Sequence, residues 1–147
     1  MLFDAQNTFS DAQAITTSAP STNIIDFGAP GKPIGAAAAI RKDLGRGMRV
    51  NLRVQMVEAV LAAGAATLTV DLQTDDNPSF SSPKTVWTSG AIGKAALVAG
   101  YVFPIDSFPR GTDERYARLN YTVATGPLTA GKITAGVVAA GEDNNYD

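Results

Sequence analysis

The amino-acid sequence predicts an all-β domain, a jelly roll or β-sandwich of about eight short antiparallel strands. Apolar and polar residues alternate in several segments, which is typical of strands with one buried and one solvated face. Glycine, proline, asparagine and aspartate recur between these segments as turn residues, and no segment has a convincing helical pattern. The chain has 147 residues, enough for a single domain with its own core. A closed barrel is the competing architecture.

The first 20 residues are predicted to form an extended N-terminal arm, followed by the sandwich domain at residues 21–147. The arm is polar and rich in Ser, Thr and Ala, with Leu2, Phe3 and Phe9 as isolated large apolar residues. Such side chains can anchor the arm on its own domain or on a neighbouring protein.

Seven segments of the domain are candidate strands. They are residues 22–27, 48–58, 66–73, 84–88, 97–105, 115–124 and 132–139. The second segment begins its apolar face at Met48, and we expect it to pair with the third because consecutive strands usually are neighbours. Residues 28–33 carry two glycines and two prolines and predict a loop. Residues 34–47 predict an irregular, exposed connection.

Residues 115–139 have the clearest pattern and predict a β-hairpin. Ala117, Leu119 and Tyr121 alternate with polar residues, and the alternation resumes at Ile133. Glycine and proline between the two runs indicate a loop longer than a two-residue turn.

The composition removes most classes of enzyme. The chain has no cysteine and no histidine. It therefore lacks a thiolate nucleophile, the usual general base and the commonest metal ligands. We expect a protein that is not an enzyme and that needs no cofactor and no metal.

The charge and hydropathy patterns give no sign of nucleic acid or membrane as a partner. Twelve Lys and Arg against 14 Asp and Glu leave a net charge of −2. The N-terminus does not have the pattern of a signal peptide, and no apolar stretch approaches the roughly 20 residues of a membrane span. Charged residues make up 18% of the chain, where about 25% is usual. This favours a surface partly covered by a protein partner, although Ala and Gly explain much of the deficit.

Two acidic clusters are candidate sites, and each has a simpler explanation. Asp75 and Asp76 precede an asparagine and could hold an ion, but they lack the spacing of a calcium loop and are ordinary turn residues. Asp113 and Glu114 could be proposed as a glycosidase pair. Adjacent residues on a strand point to opposite faces, however, and cannot flank one bond.

The basic and aromatic residues leave several interpretations open. The basic cluster is Arg41, Lys42, Arg46, Arg49 and Arg53. It lacks interleaved aromatic residues for stacking on bases, so it is interpreted as a solvated strand face or as a contact for an acidic protein surface. The aromatic candidates for a sugar-binding face are Trp87, Tyr101, Phe103 and Tyr121, although such residues are more often core.

Four blocks of the sequence resemble the Bordetella-phage-type cement proteins of tailed-phage capsids. They are FDAQNTFSDAQAIT (residues 3–16), STNIIDFG (21–28), TDDNPSFSSP (74–83) and RYARLNYTVATGPLTAGKITAG (115–136). The blocks occur in order and cover most of the two ends of the chain. None of them contains a catalytic motif.

The resemblance implies a jelly-roll protein that decorates the outer surface of an icosahedral phage head and joins neighbouring major capsid proteins. It also implies a homo-oligomer, a dimer or trimer, that is made in the bacterial host cytoplasm and located on the virion. The candidate interface residues are Leu2, Phe3, Phe9, Arg41, Lys42 and Arg46. A carbohydrate-binding β-sandwich displayed on a virion is the alternative function, and a hydrolase with carboxylates converging from separate loops is a third.

Overall fold

The computed structural model describes residues 3–139, and within them the chain forms nine β-strands and no helix. The strands are β1 (Phe3–Ala14), β2 (Ala19–Pro20), β3 (Ile25–Asp26), β4 (Leu52–Leu61), β5 (Thr67–Asp75), β6 (Lys84–Thr88), β7 (Ile92–Gly93), β8 (Tyr116–Ala124) and β9 (Ala130–Val138). They form two antiparallel sheets, so the predicted all-β sandwich is confirmed.

The two sheets differ in size. The first sheet has three strands in the order β1, β9, β4. The second sheet is centred on β8 and β5. The short strands β2 and β3 extend it beside β8, and β6 and β7 extend it beside β5. The long strands therefore lie at the centre of the sandwich, and the short ones occupy the edges of the larger sheet.

The hydrophobic core lies between the two sheets because alternate residues of the long strands point inward. On β4 the inward residues are Leu52, Val54 and Met56, each at most 2% exposed. The second sheet contributes residues such as Leu72 and Leu119, both fully buried. The strand alternation found in the sequence is thus the alternation of core and surface.

The pairing of the strands differs from the prediction in two places. β8 and β9 were expected to form a hairpin, but β8 pairs with β5 whereas β9 pairs with β1 and β4. β4 and β5 were expected to be neighbours, but they also lie in different sheets. Both predictions were wrong for the same reason: each connection crosses from one sheet to the other instead of turning back within a sheet.

The predicted N-terminal arm is not separate from the sandwich. Residues 3–14 are extended, but they form β1 and pair with β9, so the first sheet includes them. The register between the two strands shifts three times, because β1 contains more residues than the opposite stretch of β9. This irregularity explains why the arm lacks the clean alternation that identified the other strands.

The predicted strand at residues 97–105 is an irregular segment that follows the outer edge of β4. Met56 N donates to Tyr101 O (2.8 Å), and Phe103 N donates to Val54 O (2.9 Å). The segment does not form a continuous ladder with β4, and the bridge between Gln55 and Val102 is an isolated one. The segment nevertheless covers the β4 edge of the first sheet and protects this edge from pairing with another chain.

Candidate functional site

The three apolar interface candidates of the N-terminal segment do not form an exposed surface. Phe9 is fully buried, and its ring lies 6.4 Å from the ring of Phe108. Phe3 is half-buried at the start of β1. Leu2 lies outside the described residues. Phe9 is therefore a core residue, and its assignment to an interface is wrong.

The connecting loop, residues 28–50, joins β3 to β4 without regular secondary structure. A loop of this length within a compact domain is uncommon and often functional. The loop brings together the other three interface candidates, Arg41, Lys42 and Arg46. Its irregular and exposed character agrees with the prediction made for residues 34–47.

Residues 42–45 anchor the middle of the connecting loop to the sandwich. The Lys42 ammonium donates to the carbonyl of Phe27, and Leu44 N donates to Thr112 O (3.0 Å). The Asp43 carboxylate accepts from the N–H of Gly45 (2.9 Å) and from that of Gly111 (3.2 Å). The bonds of Asp43 and Leu44 fix the loop against Gly111 and Thr112. The bond of Lys42 fixes it against Phe27, so Lys42 has a structural role.

Gly45 is required for this anchor. A Cβ atom at this position would lie 2.2 Å from the backbone nitrogen of Arg110, far inside van der Waals contact. Only glycine lets the two backbones approach so closely.

Two exposed lobes flank the anchor: the first lobe is residues 28–41 and the second lobe is residues 46–49. Ile34 is fully exposed, Met48 is 92% exposed and Ile40 is 59% exposed. Met48 was predicted to face the core at the start of a strand, but the strand begins only at Leu52. The alternation therefore did not indicate burial at Met48, whereas Val50 is partly buried against the core.

The basic cluster does not form one strand face. Arg46 lies 3.4 Å from Asp43, and Arg49 lies 2.8 Å from Asp106. Arg53 is half-buried on β4, whereas Arg41 is exposed on the first lobe. The cluster is spread over two lobes and a strand, and two of its members already contact carboxylates.

Asp75, Asp76 and Asp113 serve turns and ion pairs, whereas one buried side-chain oxygen of Glu114 has no hydrogen-bond partner within residues 3–139. Each carboxylate oxygen of Asp75 accepts one backbone N–H, from Asn77 and from Ser82 (both 2.9 Å), and these bonds lower the pKa of Asp75. Asp76 accepts the backbone N–H of Arg115 (3.2 Å). Lys84 contacts Asp113 at 2.9 Å and lowers the pKa of that carboxyl. Across residues 3–139, no group of three or more acidic side chains has the arrangement of a metal site.

The four aromatic candidates do not share an exposed face. Tyr121 and Phe103 are buried in the core, and Tyr101 packs edge to face on Phe103 at 5.2 Å. Trp87 is half-buried against the core. A sugar ring stacks on an exposed aromatic face, and two of these four residues cannot offer one.

A second exposed apolar surface, the β4-end patch, lies where β4 ends. Leu61 and Val98 are 58% and 55% exposed, and they line a shallow depression together with alanines 59, 62, 63 and 95. The sequence did not predict this surface, because alanine-rich connections are also common in ordinary loops. β4 separates the patch from the connecting loop by about 30 Å, at about 3.3 Å per strand residue.

Comparisons with known proteins identify one family. Residues 3–139 form strands and loops, so this part of the chain contains no helix long and apolar enough to cross a membrane. A search of curated proteins finds no match. The family model described as Bbp16 matches residues 9–137, which includes all of β2 to β8, the second half of β1 and all of β9 except its last residue. The chain therefore belongs to the Bbp16 family, a family of Bordetella phage proteins.

Proposed function

We propose that the protein is a capsid cement protein, which binds the outer surface of an icosahedral phage head and joins neighbouring major capsid proteins. Membership of the Bbp16 family is the observation that carries the proposal, since it indicates a phage structural protein and a virion component. The four sequence blocks that resemble cement proteins add the specific role. The proposed action is mechanical, and no residue is assigned a catalytic step.

The physical basis of cementing is preferential binding to the closed shell. A subunit that contacts two capsid proteins must lose one of these contacts before the two separate. Binding to the intact state alone stabilises that state, by an amount that grows with the free concentration of the subunit. The proposal includes a dimer or trimer, because symmetric oligomers fit the symmetry axes of a shell.

Co-sedimentation with shells tests the proposed function. The purified protein is mixed with expanded shells of the major capsid protein from the same phage, assembled without it. We expect saturable co-sedimentation at micromolar concentration. Unexpanded shells provide the control, since the resemblance to cement proteins implies that the protein joins capsid proteins after the shell has expanded. Absence of binding to expanded shells at micromolar concentration would contradict the proposal.

A further inference from the structure

We propose that the two lobes of the connecting loop are the surface that docks on the shell, and that the surface they contact is acidic and has apolar sockets. This inference rests on the proposed function. It assigns the contact to residues 28–41 and 46–49, with Ile34, Ile40 and Met48 as the apolar anchors.

The exposure of these three side chains is the first support. Large apolar residues that project fully into solvent give no stability to the chain that carries them. Burying one such side chain at an interface contributes about 1.5 to 3 kcal/mol. Within residues 3–139, eight large apolar residues are exposed, and three of the eight lie on these lobes, including the two most exposed, Ile34 and Met48.

The fixed geometry of the loop is the second support. Residues 42–45 are bonded to the sandwich, as described above, and the first lobe is closed on itself by a bond from Ile40 N to Gly31 O (2.9 Å). A surface already held in its binding shape loses less conformational entropy when it binds. The loop therefore presents its apolar residues on a preformed support.

Charge identifies the chemistry of the partner surface. Residues 28–50 contain five Lys and Arg and one Asp, a net charge of +4, although the whole chain carries −2. Four acids lie beside this segment: Asp106 contacts Arg49, and Asp76, Asp113 and Glu114 line the same depressions as Arg41. Two further cations, Lys84 in one of these depressions and Arg110 against Gly45, leave the region with a net charge of +2. The single acid of the segment itself, Asp43, is held by backbone N–H groups and by Arg46. Cationic side chains around apolar anchors favour an acidic surface and steer the encounter with it.

A second copy of the chain is the competing occupant of this surface, because the residues outside 28–50 carry a net negative charge. Four of their acids already have cationic partners in the same chain: Asp26, Glu58, Asp106 and Asp113 contact Arg115, Lys132, Arg49 and Lys84. Asp75 is held by backbone N–H groups. A second copy thus offers fewer free carboxylates than its composition suggests, which favours the shell.

The test compares variants from the two ends of β4. The loop variant carries Ile34→Ser and Ile40→Ser, and the control variant carries Leu61→Ser and Val98→Ser. Ile40 and Leu61 are matched, at 59% and 58% exposed. Circular dichroism and thermal melting establish that both variants fold, which we expect because the four side chains are exposed.

Binding to expanded shells is then measured by co-sedimentation. We expect the loop variant to bind at least about tenfold more weakly and the control variant to bind as the unchanged protein does. A third variant, Arg41→Gln with Arg46→Gln, should bind about twofold to fivefold more weakly at low salt, with less dependence on salt than the unchanged protein.

Each outcome has a separate meaning. If the unchanged protein does not bind expanded shells, the proposed function fails and the inference fails with it. If it binds and the loop variant binds equally well, only the inference is overturned. Light scattering measures the oligomeric state of the unchanged protein and of the variants without shells. If the loop variant alone loses its oligomeric state, the lobes contact a second copy, and docking on the shell through them is refuted.

Discussion

Ser10 and Tyr121 join the two sheets through a buried hydrogen bond. The two hydroxyl oxygens are 2.8 Å apart, with Ser10 on β1 and Tyr121 on β8. Burial raises the pKa of Tyr121, so the phenol stays neutral. Ser10 also donates to the side-chain oxygen of Gln13 (2.6 Å), which in turn accepts the backbone N–H of Thr22 (2.8 Å). This chain of bonds fixes the N-terminal strand against the second sheet.

We expect Tyr121→Phe to lower the free energy of unfolding by about 1 kcal/mol, because the change removes one buried hydrogen bond without changing the volume of the ring. Urea unfolding measures the effect. The double variant of Tyr121→Phe and Ser10→Ala should lose less free energy of unfolding than the two single variants lose together, because both changes remove the same bond. Full additivity would show that this hydrogen bond contributes nothing.

The pair of Asp26 and Arg115 gives a pH dependence with a defined sign. Arg115 donates to both carboxylate oxygens at 2.8 Å, and Gly28 N donates to one of them at 2.8 Å. First the guanidinium and then this N–H lower the pKa of Asp26 from 3.8 to about 2. The stability that the carboxylate contributes is therefore present above pH 3.8 and is lost as the pH falls to about 2.

We expect Asp26→Asn to be less stable than the unchanged protein at neutral pH, with a difference that shrinks between pH 4 and about pH 2. Both side chains are well exposed, so the effect should be modest and should decrease with salt. Urea midpoints measured over this pH range provide the test. Arg115→Gln should remove most of the same pH dependence, and a difference that persists unchanged at pH 2 would contradict the assignment.

The connections between long strands explain what the sequence could and could not predict. The alternation on β4, β5, β8 and β9 identified all four strands, because it records which side chains point inward. It did not identify their partners, because residues 62–66 and 125–129 are about as long as hairpin loops. One signal was present: Leu128 is apolar within a polar loop, and it is buried. An apolar residue in such a loop fits a connection that passes across the end of a core.

The close contact of β1 with β9 depends on Gly136. A Cβ atom there would lie 2.9 Å from Thr8 Cα and 3.0 Å from Asn7 O, both backbone atoms. We expect Gly136→Ala to push β1 away from the first sheet and to lower the free energy of unfolding by about 1 to 3 kcal/mol. The measurement is urea unfolding, together with hydrogen exchange of the β1 amides.

Gly93→Ala is the matched control for this prediction. Gly93 also lies in a strand, but a Cβ atom there meets nothing within 4 Å. We expect little change or a slight stabilisation from this variant. Equal effects of the two substitutions would mean that the loss of glycine itself, and not the contact with β1, determines the result.

The candidate docking surface was only partly predictable. The sequence located a basic, irregular connection, and Arg41 and Arg46 do lie on the exposed lobes. It placed the apolar contacts on the N-terminal segment, where Phe9 proved to be core. Isolated apolar residues have the same appearance in a sequence whether they fill a core or project from a loop. The difference depends on the bulged pairing of β1, which leaves no periodic signal.

The nine strands and the connecting loop have separate roles in the proposed function. The sandwich buries its own core and covers one edge of the first sheet with residues 97–108, so the burial of the core does not depend on a partner. The connecting loop carries exposed apolar and cationic residues that the fold itself does not need. A protein whose role is adhesion requires docking side chains that are not part of its core, because these side chains must stay exposed until the protein binds the shell.

A cementing role predicts that the protein raises the thermal stability of the shell, whereas binding alone does not predict this. If the protein joins capsid proteins, expanded shells should release their contents at a higher temperature when it is present. The gain should rise with its concentration and then level off as sites fill. At a free concentration 100 times Kd, each site contributes about 2.7 kcal/mol to the intact shell.

Thermal release of an encapsulated dye measures the effect, with the Ile34→Ser and Ile40→Ser variant as control. A protein that only decorated single capsid subunits would bind to saturation and leave the release temperature unchanged, and that result would reject the cement role.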